Sequence, residues 1–393
     1  MSDIHYITTE TAFRELTARM ENSERVGLDT EFVGEDSFVP RLEVIQVAVG
    51  DHCAVIDYPA IGTLEPWAEL LSNPKIEKVV HAGRQDLELF YAHTGRVTRP
   101  VFDTQVAAAM VGYGTQVAYA QLVQRVTGVK LAKLHTFTNW SQRPLTRDQL
   151  AYAIDDVKYL LQVRDHLSKR LQSHGRLDWV REEFARLESK VTDPSREPRE
   201  RYQRIKGWEN MKPRVAAVLR ELVAWREEEA RRRNVPRGRV VRDEVLVELA
   251  RQAPRTVDAL RGTRGLHGSE IDRNGEHMIK AVESALALPE SDWPDVAPAR
   301  KPDVDPGGQV DLLQAVLKML AQQEAIAPGL LANAADLHAL VEAGRQRDGL
   351  DLPILQGWRR KLAGDLLLDV LDGKLAVRFS EKGKLGLVRT AAG

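Results

Sequence analysis

An α/β domain followed by two small all-helical units is the fold class that the sequence predicts. Three observations carry it. Strand-like and helix-like segments alternate through the first ~175 residues, two Pro-rich breaks divide the remainder, and the stretches beside those breaks have helical periodicity.

Taken in order, Val26-Gly27-Leu28-Asp29-Thr30-Glu31-Phe32 reads as a short strand. Leu42 to Val49, apolar at Leu42, Val44, Ile45, Val47 and Val49, reads as a second, and Cys53 to Ile56 as a third. Gly50-Asp51-His52 is a tight turn, so three neighbouring antiparallel strands are expected. Ile76 to His81 reads as a strand feeding a helix over Gln85–Tyr91. Asp103-Thr104 caps a helix through Met110, and a helix from Thr146 runs through Tyr152 and Asp156 towards Leu167. Residues 192–200 read as a linker; beyond it Val215, Leu219, Leu222, Val223 and Trp225 recur at helix spacing to about residue 290. Five prolines and a Gly-Gly pair in residues 289–308 make a second break. Residues 309–372 are helical again, and Leu375 to Val388 closes as a hairpin around Glu381-Lys382-Gly383-Lys384. The expected boundaries are 1–190, 205–290 and 309–393, with linkers at 191–204 and 291–308.

At 393 residues, 43% hydrophobic and 29% charged, the chain belongs with globular proteins of more than one core. No stretch approaches the roughly 18–20 apolar residues of a membrane helix. The start, Met-Ser-Asp-Ile-His-Tyr, has neither a basic nor an apolar export region. The single cysteine, Cys53, excludes an internal disulfide framework and a thiolate-cluster metal site, and within Cys53-Ala54-Val55-Ile56 it reads as a buried small hydrophobe. A cytoplasmic protein is expected. The net charge of −1 hides an asymmetry: residues 1–175 hold 18 Lys/Arg against 22 Asp/Glu, residues 196–242 hold 15 against 7. Such separation suits capture of a polyanion, although a solvated basic helix face has the same composition.

Acidic residues punctuate the first domain in three places. Asp29 and Glu31, two apart on a strand, project from one face and interrupt an apolar run where charge is costly. Asp86 lies near the start of a helix that follows a buried strand. Tyr152 and Asp156, four apart on a helix, share a face. Four carboxylates meeting at a strand end would repel unless cations lay between them, and hard oxygen ligands favour Mg²⁺ or Mn²⁺. Two such ions can activate a water and stabilise a leaving oxygen in phosphodiester hydrolysis, with a phenol holding the water in line. Each piece has a plainer reading: Asp86 as a first-turn acid, Tyr152 with Asp156 as a surface pair.

The order Asp29-x-Glu31, His81-x4-Asp86, Tyr152-x3-Asp156 resembles the three exonuclease motifs of the DEDD superfamily, in its tyrosine variant. Phe38-x-Pro40-x-Leu42-x3-Gln46, Phe102-Asp103-Thr104-Gln105 and Lys133-x6-Trp140-x2-Arg143-Pro144-Leu145 resemble the ribonuclease D family rather than polymerase proofreading domains. Residues ~205–288, with Trp225-Arg226, Pro236 and Leu246–Ala250, resemble the HRDC domain shared with RecQ helicases. Residues ~310–372, with Ile326-Ala327-Pro328-x-Leu330-Leu331-Ala332 and Gly357-Trp358-Arg359, resemble the family's second such domain.

The resemblance implies an RNase H-like mixed-sheet exonuclease domain followed by two HRDC-like domains, acting as a monomer. It implies a 3′→5′ exoribonuclease releasing nucleoside 5′-monophosphates, with tRNA precursors and small structured RNAs as substrates. Asp29, Glu31, Asp86 and Asp156 would hold two Mg²⁺ or Mn²⁺ ions, Asp29 bridging them, and Tyr152 would orient the attacking water. Leu134, where the family often has a small polar residue, departs from the pattern. A DNA 3′→5′ exonuclease with the same site and a non-catalytic RNA-binding adaptor are the competing readings.

Other residues have structural readings. Asp155 points about 100° from Asp156, Asp103 is an N-cap, and His81 is a structural histidine. Asp57 before Pro59 is a turn residue, and Glu88 is a surface residue. Trp208, Trp225, Trp293 and Trp358 could stack on bases, but at helical spacing among Leu and Val most of them are expected in the core.

Overall fold

The computed structural model describes residues 5–34, 36–131, 138–191, 198–296, 306–344, 347 and 350–390. Lys133 and Leu134, residues 192–197 of the first expected linker and 297–305 of the second lie outside the described residues. Two compact units emerge, one of residues 1–30, 44–191 and 302–393, the other of residues 31–43 and 192–301.

The first unit is built on strands β1 (His5–Ile7), β2 (Arg25–Val33), β3 (Arg41–Val49), β4 (His52–Asp57), β5 (Glu77–Val80) and β6 (Val101–Asp103). They form one mixed sheet in the order β1-β4-β3-β2-β5-β6. The expected neighbouring trio is there, with β3 antiparallel to β4 and Val49 paired with His52 across a two-residue turn. Gly50 takes a positive φ of 56° in that turn. β5 runs parallel to both β2 and β6. The opening strand β1, which pairs parallel with β4, and the Glu10–Glu21 helix that follows it are absent from the sequence reading; β1 has only three residues.

The long helix expected from Thr146 is two helices, Arg147–Lys158 and Leu160–Ser173, separated at Tyr159 with φ −107° and ψ 0°. Its start is as expected, Thr146 forming a capping box with Gln149. The second helix lies close on the sheet: a Cβ on Gly27 would come within 3.3 Å of Leu160 Cβ.

Residues 307–390 share a core with the nuclease part of this unit, Leu313, Val316 and Leu317 clustering with Ala107, Met110 and Val123. Glu183, on the Leu177–Lys190 helix, accepts two charged hydrogen bonds from Arg359, Nη1 at 2.5 Å and Nη2 at 2.6 Å. Trp358 stacks on Trp179 with ring centroids 5.1 Å apart and donates its indole N–H to Glu183 at 3.2 Å. Trp358 is thus a core tryptophan, as expected. Gly357 precedes it at φ 49°, where a Cβ would strike Glu182 Oε2 at 2.5 Å. The closing hairpin is β7 (Leu375–Phe379) against β8 (Leu385–Arg389).

The second unit is helical. Pro213–Arg232, Asp243–Gln252 and Gly268–Leu286 enclose a core of Leu219, Leu222, Leu246, Leu249 and Met278. Phe38, from the connection between β2 and β3, is buried in this core. Its backbone N–H donates to Asn234 Oδ1 at 3.3 Å, and the Arg237 guanidinium lies 4.3 Å from its ring centre.

Lys78, in the middle of β5, is fully buried, its ammonium donating to the carbonyls of Asn73, Ile76 and Arg99 at 2.9, 2.6 and 2.5 Å. Burial lowers its pKa from 10.5 to about 7. The unfolded chain keeps this proton to about pH 10.5 and the folded chain releases it near 7, so Lys78 makes stability rise with pH between those values.

Lys78→Met should abolish that rise and cost about 2–4 kcal/mol at pH 7.5 through orphaned carbonyls. Denaturant unfolding from pH 7 to 10 reads both effects, and an unchanged slope in the variant would refute the assignment. Breaking the buried pair with Glu183→Ala should cost about 3–5 kcal/mol, most of it recovered in the double variant E183L/R359M; a double-mutant cycle decides this.

Candidate active site

β5 stops at Val80, whereas β2 continues to Val33. The backbone of β2 beyond Gly27, the last residue paired with β5, therefore has room for another partner on that side. The turn after β5 supplies it. Ala82 takes a positive φ of 54°, and Gly83 has no space for a side chain, a Cβ there falling 2.5 Å from Val80 Cγ2. The turn launches the Arg84–Thr94 helix, with Asp86 in its first turn. Asp86 is 7% exposed and accepts hydrogen bonds from the hydroxyl and the backbone N–H of Thr30. Burial pushes its carboxyl up to about 6, with the Asp103 charge adding and the bonds from Thr30 opposing.

Asp103 is the expected N-cap and more. Its carboxylate accepts from the N–H groups of Gln105 and Val106 at 2.8 and 3.3 Å, and from Ala82 and Gly83 at 3.1 and 3.0 Å. It thus fixes the turn that delivers Asp86. His81 is structural as expected, its ring nitrogens 2.9 Å from Thr104 Oγ1 and 3.0 Å from the Val117 carbonyl. Burial lowers the pKa of this ring.

Tyr119 is a residue that the sequence reading missed. Its ring lies 5.4 Å from that of His81, and its hydroxyl accepts the backbone N–H of Tyr159 at 3.2 Å. Burial raises the phenol well above its usual range, and the charges of Asp156 and Asp29 raise it further. Two acids 127 positions apart in the chain therefore act on one hydroxyl. Asp155 looks elsewhere, its carboxyl raised by burial and countered by Lys158.

Tyr152 packs beside Trp140, centroids 6.1 Å apart, in a small core with Val44, Val55, Leu145 and Ala153. The segment carrying Trp140 is anchored by Arg143, which donates to Asp57 at 2.7 Å and to the Trp140 carbonyl at 2.6 Å. Asp57 does close β4 at a turn, but its carboxylate is buried and also accepts from the Tyr6 hydroxyl. Glu88 is half-exposed and paired with Arg84 at 3.1 Å.

Among the described residues no three carboxylate, imidazole or thiol groups stand ready in the geometry of a metal site. The donor chemistry nonetheless fits a hard divalent cation: acids from β2, from the Arg84–Thr94 helix and from the Arg147–Lys158 helix, with no thiolate among them.

A family model for 3′–5′ exonucleases matches residues 4–172, and one for HRDC domains matches residues 215–282. The class is thus an exonuclease with an appended helical domain. The chain belongs to the ribonuclease D family. It is 39% identical over 386 residues to the ribonuclease D of Nitrobacter hamburgensis, covering 96% of this chain and 98% of that one. With the ribonuclease D of Gluconacetobacter diazotrophicus it shares 40% over 379 residues, 94% of this chain and 93% of the other. The crystal structure of Escherichia coli RNase D, described as an exoribonuclease involved in structured RNA processing, superposes with a TM-score of 0.82 at 30% identity. The match covers 94% of this chain and 99% of that one. The chain is accordingly a 3′–5′ exoribonuclease of a divalent-metal-dependent family, and no helix among its described residues is long and apolar enough to cross a membrane.

Thr30→Val, which keeps the strand but removes the hydroxyl, should cost about 1.5–3 kcal/mol of stability and lower RNA turnover. Thr30→Ser should restore both. Paired thermal melts and cleavage assays test this, and a Thr30→Val protein indistinguishable from the parent would refute it.

Proposed function

We propose that this chain trims RNA from its 3′ end by two-metal hydrolysis, releasing nucleoside 5′-monophosphates, with tRNA precursors and other small structured RNAs as substrates. Asp29, Glu31, Asp86 and Asp156 would hold the cations, Mg²⁺ or Mn²⁺, which would supply activation of the attacking water and charge stabilisation at the leaving oxygen. The observation that carries the reading is the near full-length likeness to ribonuclease D relatives, supported by Asp86 being bonded to Thr30, the residue next to Asp29.

The protein's own groups then have distinct tasks. Asp86 is seated by Thr30, whose two donors favour its charged form against burial. The Tyr152 phenol, its ring packed beside Trp140, orients the attacking water. Arg143, tied to Asp57, fixes the segment that backs Tyr152. The helical region around residues 205–290, with its basic approach at 196–242, grips the body of the RNA.

A DNA-directed exonuclease would use the same acids, and digestion of matched RNA and DNA strands separates the two. The purified chain should shorten 5′-labelled single-stranded RNA with Mg²⁺ or Mn²⁺ and stop with EDTA. Asp29→Asn should abolish cleavage, and Tyr152→Phe should lower kcat about 10²-fold with little change in KM. Faster loss of the DNA strand, or an active Asp29→Asn protein, would refute the reading.

A further inference from the structure

The second unit contains a cavity of about 470 Å³ that the catalytic site does not use. Its lining is Arg201, Arg204, Arg226, Arg237 and Arg242 with Ile205 and Gly238, and two acids, Asp243 and Glu244, leave the arginines in excess by three. A volume of that order accommodates a nucleotide-sized group.

The five arginines are not equivalent. Arg201 and Arg237 are satisfied by Glu227, fully buried, at 3.2 and 2.7 Å. Arg226 is 3% exposed and donates one nitrogen to the Val241 carbonyl at 3.1 Å and to Asp243 at 2.5 Å. Its buried Nε has no hydrogen-bond acceptor among the described residues. Arg204 and Arg242 are exposed, and the described residues give neither side chain an acidic partner. Arg242 also precedes the first turn of the Asp243–Gln252 helix, where the backbone dipole favours an anion. Burial lowers the Arg201 pKa, Arg237 lowers it further, and Arg204 and Arg226 add to this against an opposing pull from Glu227. An anion entering the cavity would relieve that repulsion and meet planar donors shaped for phosphate oxygens.

We propose that this cavity is a phosphate site for the RNA substrate, with Arg204 and Arg242 as its outer cations and Arg226 as its buried one. The inference rests on the RNA-trimming reading, to which it adds a defined anchor remote in sequence from the catalytic acids. A backbone diester and a strand's terminal phosphate both have the required chemistry.

The test uses the full chain carrying R204Q/R242Q, leaving Arg226 and Arg237 intact because they also hold Val241, Asp243 and Phe38 in place. A charge-matched control, R251Q/R255Q, removes two exposed arginines of the same unit that do not line the cavity. Binding to a structured RNA is measured in EDTA across a salt series, with 5′-hydroxyl and 5′-phosphorylated forms. For R204Q/R242Q the affinity should fall about tenfold near 0.1 M salt, and the slope of log Kd against log salt should flatten by roughly 1 per arginine. The control should change much less, and hydrolysis of a dinucleotide with Mn²⁺ should be unaltered in both.

A loss seen with both RNA forms assigns the backbone diester; a loss confined to the phosphorylated form assigns the terminal phosphate. Equal losses in the two variants, or wild-type affinity and slope in R204Q/R242Q, overturn the proposal while dinucleotide hydrolysis leaves the nuclease reading standing. A parent chain that neither binds RNA nor hydrolyses the dinucleotide overturns both.

Discussion

A buried carboxylate bonded to the edge of a strand is the constraint from which the local architecture around β2 and β5 follows. Asp86 reaches Thr30 only because β5 ends early, because Ala82 and Gly83 turn the chain sharply, and because Asp103 secures that turn through the N–H groups of both. Water is scarce there, so the charged form survives on Thr30's donors rather than on solvation. A fold that merely needed a helix after a strand would have no reason to carry these three devices together.

Burying an acid in this way works against folding, and the rest of the first unit is held by conventional means. Its core is continuous from the nuclease helices to residues 307–390, and the Glu183–Arg359 pair satisfies a buried acid with a two-pronged guanidinium. The Gly357-Trp358-Arg359 motif acquires a physical meaning from this. Gly357 clears Glu182, Trp358 stacks and donates, and Arg359 neutralises.

Much of the architecture was legible because the signals are local. Alternating apolar residues marked β3, the Gly50-Asp51 turn marked the hairpin, and Thr146 with Gln149 marked a helix start. What escaped depends on distance. Strand β1 is three residues long and means nothing without β4 beside it. Thr30 looked like a spacer between Asp29 and Glu31, because its bond to Asp86 joins residues 56 positions apart and leaves no local signal. Tyr119 sits in a stretch without acids, so no motif pointed to it. The break at Tyr159 was invisible because the apolar period continues across it from Val157 to Leu160 and Val163.

Phe38 has an implication for how such chains can be recombined. The segment between β2 and β3 is tethered to the sheet by sequence, but its aromatic ring is housed in the helical core, under Arg237 and beside Asn234. Swapping the helical region for that of a distant relative would therefore evict a large apolar side chain unless the loop travelled with it. The two pieces would have to be exchanged together, although some 150 residues of chain separate them.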